Sequence, residues 1–405
     1  MLRLQTLLLV FFLATASAAA AQSALPEGPG KETVETTCTA CHALERITTA
    51  GHDRAGWENV LNMMVTAGAP LPQDKFDAVV DYLTKNFPRK PQPTAVLIAG
   101  GVTVEIHEWS VPTPGSRPHD PLATPDGALW YTGQMADVLG RLDPNTGTFK
   151  EYKLPPMSGP HGLVADAAGD IWFTANFAGY IGRLDPKTGA VRQYPMPDAE
   201  AKDPHSLVFD QKGILWFTVQ GGNRVGRLDP RTAEVRLVNV PTPLARPYGI
   251  IVDSAGAPFF DEFGSNKIGR IDPSTLAIRE FVLPHEDARP RRIAVTNDDI
   301  IWYTDYSRGT LGRLNAETGE VEEYASPGGP QSRPYGMAAL DGVIWYSESN
   351  VEPNTLVRFD PKSKTFQSWP IPSGGGVVRN MMAMGHDRLV LACSGVNGVA
   401  LVEIK

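Results

Sequence analysis

The spacing of apolar residues changes twice along the chain. Leu7 to Ala14 is an unbroken apolar run preceded by one basic residue, Arg3, and followed by small residues ending Ala19-Ala20-Ala21 before Gln22. That layout predicts a secretory signal peptide over residues 1–22, cleaved at an A-x-A type site. The run is too short for a transmembrane helix, which takes about 20 apolar residues, and no later segment reaches that length. From Gln73 to Phe87 the period is helical, with Phe76, Val79, Val80, Leu83 and Phe87 on one face and Asp74, Asp77, Asp81 and Lys85 elsewhere. Arg89 to Pro93, Arg-Lys-Pro-Gln-Pro, reads as a stiff linker and opens a connecting stretch over residues 91–101. Beyond it the pattern alternates as in β-strands, for example Thr148-Phe-Lys-Glu-Tyr-Lys-Leu before Pro155.

The strands repeat. An apolar-aromatic-aromatic-Thr element recurs at Trp130, Trp172, Trp216, Phe259, Trp302 and Trp345, with a degenerate copy at Val390, at a spacing of 42 to 45 residues. About ten residues later, Gly140, Gly182, Gly226, Gly269 and Gly312 each precede an Arg, and Val357-Arg358 is the sixth variant. Several short strands per unit at such a period predict the blades of a propeller. The seventh unit runs out at Leu401 to Lys405 one strand short, while Thr103 to Pro112 reads as a fourth strand with no blade before it. The two pieces are expected to pair and leave no open sheet edge. The fold expected is mainly all-β, a seven-bladed β-propeller over residues 102–405, with a small all-α domain at residues 25–90. The repeated Trp residues are expected between blades, the Asp-Pro-x-Thr-Gly segments in turns, and Cys393 as a small buried residue.

The repeats resemble the streptogramin B lyase (virginiamycin B lyase) family of seven-bladed propellers, through their Pro-His/Tyr-Gly, Trp-Phe-Thr and Ile-Gly-Arg elements. The resemblance covers roughly residues 103–405 and speaks to fold more than to reaction, because one propeller architecture hosts many chemistries.

The candidate chemistry of the small domain is Cys38-Thr39-Ala40-Cys41-His42, the C-x-x-C-H pattern of covalent haem c attachment, with His42 as the proximal iron ligand. No second C-x-x-C completes a zinc site. Met63 and Met64 are adjacent on a predicted helix, about 100° apart, so one of them can be the sixth ligand. His52 is a remoter alternative. The segment is similar to short c-type cytochrome domains, in which the Met follows a Trp by seven positions and precedes a turn like Gly68 to Pro72; that resemblance favours Met64, after Trp57. About 65 residues make a marginal core, so the haem is expected to do part of the packing.

A propeller brings one repeat position into a ring around its channel. The residue after the repeated Pro reads His119, His161, His205, Tyr248, Arg291 and Tyr335, with Asn380 in the blade lacking that Pro. Two positions earlier stand Arg117, Arg246, Arg289 and Arg333, together with Gly159 and Asp203, which favours an anionic ligand or a carboxylate-bearing partner at the mouth. Glu262, Asp305 and Glu348 are expected on the opposite arc. The lyase resemblance implies a pair of Pro-His motifs with an acid two residues before the second His and a Mg2+ ion nearby. Here that implies His205 as a base, His161 as a second polar ligand and Asp203 as the acid, a shorter one than the family's Glu.

Composition narrows these readings. Lys plus Arg total 37 against 45 Asp plus Glu, a formal charge of −8, and no stretch is basic enough for nucleic acid. Gly 39 and Pro 35 suit a fold of many tight turns. Three Cys rule out a disulfide framework. The function expected is an exported, periplasmic or secreted, haem c protein that passes single electrons, its propeller binding a substrate or redox partner, and a monomer is expected. A lyase with Mg2+ and a non-catalytic docking propeller are the alternatives. Elimination moves no electrons and so gives a haem nothing to do. No motif for flavin or nicotinamide is present.

Overall fold

A computed structural model describes residues 25–40 and 43–405. The signal segment, Cys41 and His42 lie outside the described residues. Four helices come first: α1 (Lys31–Thr37), α2 (Glu45–Thr48), α3 (Arg54–Thr66) and α4 (Phe76–Asn86). The Asp53 carboxylate starts α3 by accepting the Gly56 N–H at 2.8 Å. Trp57 and Leu61 of α3 bury against Val79, Val80, Tyr82 and Leu83 of α4, with Leu25, Val34 and Ile47 completing one small cluster. The apolar face read in the sequence is the one that packs, except that Phe76 and Phe87 sit at its margin and Tyr82 joins it, donating its hydroxyl to the Pro26 carbonyl at 2.6 Å.

The connecting stretch is no free tether. It runs extended along the sixth blade, where the Pro93 carbonyl accepts the Glu352 N–H, Ala95 returns a bond to Glu352, and Ser368 donates to Val96 at 2.6 Å.

Residues from 104 onward form seven four-stranded antiparallel sheets. Six are consecutive in sequence. The seventh takes three strands from residues 378–404 and its outer strand from Val104–Ser110, in the register Val104↔Ile404, Ile106↔Val402 and Ser110↔Gly398. The expected closure is therefore present. The repeated Gly is explained by the aromatic beside it: Gly182 pairs with Phe173, and a Cβ there would lie 2.1 Å from the ring. The Trp residues do pack between blades, Trp172 against Leu207, Leu215 and Phe217 of the next sheet. Cys393 is buried among apolar residues, which pushes its thiol pKa up.

Several neighbouring blades are clasped by a hydroxyl. Thr174 accepts the Gly162 N–H of its own inner strand at 2.8 Å and donates to the His205 carbonyl of the next blade at 2.6 Å. Thr132 and Thr218 do the same toward His161 and Tyr248. In the fourth blade the position is Asp261. Its Oδ1 accepts the Gly249 N–H at 3.1 Å, but its Oδ2 is buried without a partner, and burial pushes the carboxyl well above the ordinary range. An Asp that stays neutral when folded but ionises when unfolded above about pH 4 lowers stability progressively as pH rises through that window. Asp261→Thr restores the clasp. It is expected to stabilise the propeller by about 1–3 kcal/mol at pH 7, with a smaller gain at pH 4, as read by thermal unfolding at the two pH values.

Candidate functional site

Each inner strand begins at the mouth of the channel with a bulge that shifts its register by the third residue, as between Pro118 and Pro121. The residue after the leading Pro enters the channel. In the seventh blade Val378 pairs with Cys393 as Pro118 pairs with Gly133, so Arg379, not Asn380, occupies the ring position. The absence of the Pro marker had misplaced this blade by one residue. The ring is His119, His161, His205, Tyr248, Arg291, Tyr335 and Arg379.

On one arc the rings pack closely, tilted by 41 to 50° to one another. His119 and His161 lie 3.6 Å apart between centroids, His161 and His205 3.6 Å, and His205 and Tyr248 3.8 Å. Tyr248 and Tyr335 hydrogen-bond through their hydroxyls. The Arg291 guanidinium closes the other arc, 3.9 Å from the Tyr335 ring centroid and 4.2 Å from that of Tyr306. Just inside this ring a second layer seals the channel. Arg292, fully buried, donates to Asp120 at 2.7 Å, to Ser206 at 3.2 Å and to the Arg379 carbonyl at 3.1 Å. Beyond that layer lies a cavity of about 300 Å³ lined by Leu163, Ile250, Met337 and Met381 as well as by Arg292 and Asp120.

Burial pushes all three imidazoles well below the usual histidine range, and neighbouring groups push the same way: His161 and Arg379 on His119, His205 and Arg292 on His161, Arg292 on His205. They are neutral at pH 7. His119 Nδ1 lies 2.9 Å from Asp120, His205 Nδ1 lies 3.2 Å from the Ser206 hydroxyl, and His161 Nδ1 has no partner. His119, Asp120 and His161 are close enough for a metal cluster. Arg292 is ion-paired with Asp120 and would compete with a metal for its carboxylate.

Asp203 is not hydrogen-bonded to His205 or His161. Its carboxylate accepts the Asn176 amide, and burial raises it to about 6. The arc of Glu262, Asp305 and Glu348 turns to its own loops, where Ser265 holds Glu262, the Arg289 N–H and Ser307 hold Asp305, and Ser326, Gly328 and Thr355 hold Glu348, while Glu262 Oε1 and Asp305 Oδ2 stay buried without a partner. Strand-end carboxylates here cap turns, which a ring count along the sequence does not reveal. Arg289 likewise turns to the Glu286 and Ala288 carbonyls. Arg117 stays at the mouth, where Arg246 and Arg333 lie 6.0 and 5.5 Å from the Phe263 and Tyr306 rings. Arg292 and Arg379 were missed, although Arg-Arg at positions 291–292, next to the repeated Pro, was a usable signal.

The helices sit on this same mouth. Asn59 of α3 donates to the Gly395 carbonyl at 2.5 Å and Thr66 to the Pro114 carbonyl at 2.9 Å. A Cβ on Gly115 would stand 2.3 Å from the Asn62 carbonyl carbon and 2.4 Å from the Met63 nitrogen, and the residue has φ 67°. The supporting loops also hold the arginines, since Asn397 accepts the Arg117 N–H at 3.2 Å and Ser394 accepts Arg379 Nε at 2.8 Å. Met63 and Met64 are half-buried and stand outside the helical cluster. Cys38 is a free, half-buried thiol, raised in pKa by burial. His52 lies edge-on to Trp57 at 4.9 Å. Gly115→Val is expected to weaken the docking of α3 by about 1–3 kcal/mol. Limited proteolysis in residues 88–101 should accelerate while the main thermal transition of the propeller keeps its midpoint.

A model of the virginiamycin B lyase family matches residues 100–352, beginning after the helices. Among solved structures, a streptogramin B lyase is 27% identical, with a TM-score of 0.68, covering 75% of this chain and 98% of its own. Virginiamycin B lyase from Staphylococcus aureus is 25% identical, with a TM-score of 0.68, covering 74% of this chain and 99% of its own. A catalytically inactive histidine-to-alanine form of the S. aureus enzyme, with quinupristin, is 25% identical at a TM-score of 0.67 and covers the same shares, 74% and 99%. No curated protein matches the sequence.

Proposed function

The chain belongs to the virginiamycin B lyase family, and we propose that it uses that family's propeller as the binding half of an exported haem c oxidoreductase. The observation that carries this reading is the seating of α3, with Met63 and Met64, on the loops that hold Arg117 and Arg379. The donor set fits haem c: Cys38 is an unpaired thiol, and the two methionines are not consumed by the apolar cluster. Cys38 and Cys41 would attach the haem, His42 would be the proximal ligand and Met64 the sixth. Bound there, haem supplies a reversible one-electron change at iron.

The propeller residues do the rest. Arginines at the mouth bind and orient a substrate or an acidic partner surface. The layer of Arg292, Asp120 and Ser206 closes the channel beneath it. His205, with His161 beside it, is kept neutral by burial and would serve as a weak base for a proton released when a bound substrate is oxidised. Asp203, tethered by Asn176, is positioned at the rim and not at the base.

Expressed with its signal and purified from the periplasm, the chain is expected to show one covalent haem per molecule in a pyridine haemochrome assay. Cys38→Ala with Cys41→Ala should abolish it. A wild-type chain free of covalent haem would end this reading.

A lyase acting with Mg2+ is the second reading, favoured by the neutral histidines and by the inactive His-to-Ala relative. Linearisation of a streptogramin B by the purified chain, lost at least about 100-fold in His205→Ala, would support it. Undiminished turnover in that variant, or none in the wild type, would exclude His205 lyase chemistry.

A further inference from the structure

We infer that Arg117, Arg291 and Arg379 form a binding site for paired oxyanion groups, two carboxylates or a phosphate ester, at the mouth of the channel. The inference deepens the reading of the mouth as a binding surface and does not depend on haem. It starts from a charge imbalance. Four guanidinium groups, Arg117, Arg291, Arg292 and Arg379, converge on the Tyr248–Tyr335 pair and the neighbouring histidines, and two carboxyl groups, Asp120 and Asp261, act on them. Arg292 takes Asp120 in a buried ion pair, while burial pushes the Asp261 carboxyl well above its ordinary range, so that it supplies little negative charge. Arg117, Arg291 and Arg379 have no ion pair among the described residues, and the Nε atoms of Arg117 and Arg291 are buried without any hydrogen-bond partner. The nearby acids are engaged elsewhere, Asp203 with Asn176, Glu262 with Ser265 and Glu348 with Ser326.

Partly buried cations without counter-charge are costly to hold away from water, and they persist where something else supplies the charge. Burial, and then Arg379, push the Arg117 guanidinium down to about 9. Burial of Tyr335 raises its hydroxyl, but Arg291, Arg379 and Arg292 overcome that and bring it to about 8. Even a Tyr335 phenolate leaves two positive charges unmet. The Arg291 group is held in orientation by Tyr335, Tyr306 and Phe263, at 3.9, 4.2 and 4.7 Å. Guanidinium faces covered by aromatic rings leave the N–H edge for in-plane acceptors, the geometry that carboxylates and phosphates match with two bonds. The paired oxyanions have two sources, a free small molecule or the two propionates of a haem on the helices docked above.

The test uses the full chain and two readouts. Calorimetric titration at low salt with malonate, oxalate and inorganic phosphate is expected to show binding that weakens about 10-fold or more in Arg379→Gln and in Arg117→Gln, and that is unchanged in Arg279→Gln on an outer strand. If the propionates fill the site, the free anions will not bind to the haem-bearing chain, and the haem reduction potential will shift in Arg379→Gln but not in Arg279→Gln. No binding of any probe together with an unshifted potential would overturn the inference, as would binding indifferent to both arginines. A haem-free chain that binds these anions through Arg379 would keep the site while removing the redox reading.

Discussion

Everything at the mouth depends on the pairing of Val104–Ser110 with Gly398–Ile404. Without it the seventh blade would end in an open edge and the first and last blades could splay apart. With it, loops 113–117 and 394–397 become one platform, joined by the Asn397 side chain, which accepts from Arg117 and donates to the Thr113 carbonyl. Arg117 and Arg379 are brought to the same rim by this closure together with the packing of Leu129 and Tyr131 of the first blade against Met384 and Val390 of the seventh. The same platform receives α3. That antiparallel pairing joins the loops that carry the cationic rim and the seat of the helices.

Inside that frame the physics of the site is desolvation. Three histidines and two tyrosines are packed ring against ring with almost no exposure, with guanidinium groups close by. Both effects disfavour an imidazolium, so the histidines stay neutral, and the guanidinium groups favour a negative guest. Arg292 shows the alternative outcome for a cation in the same environment: with Asp120, Ser206 and a backbone carbonyl around it, its charge is matched and it becomes structural. The difference between Arg292 and its neighbours is the partner, which is why the neighbours carry the functional argument.

The architecture was legible because period and turn chemistry repeat seven times, and the missing fourth strand of the last blade could be traced to Thr103–Pro112. The histidine arc was legible for the same reason, each His following a repeated Pro. The register of the seventh blade was not, because Val378 stands where Pro does elsewhere and removed the marker that placed Arg379. Glu262, Asp305 and Glu348 share a repeat position, but a shared position does not say whether a side chain faces the channel or caps a turn, and hydrogen-bond partners up to 22 residues away decided it. Arg292 finds Asp120 across 172 residues, a contact no local pattern announces. The docking of α3 rests on a backbone approach at Gly115, which in sequence is one more turn glycine.

The two catalytic readings ask different things of these residues. Elimination needs a strong base and an electrophile turned toward one substrate. Here the base candidates are weakened by burial, His205 and His119 have Nδ1 beside Ser206 and Asp120, and the acid that the lyase pattern pairs with His205 is bound to Asn176 instead. Oxidation of a bound anion asks only for charge complementarity at the rim, a neutral group able to accept a proton, and a redox group held at the same mouth. Arg117 and Arg379 offer the charge, and His205 with His161 offers the neutral group, weakened as a base by the same burial. The third rests on the haem proposed at Cys38, in the helical segment whose α3 bonds to the rim at Gly395 and Pro114.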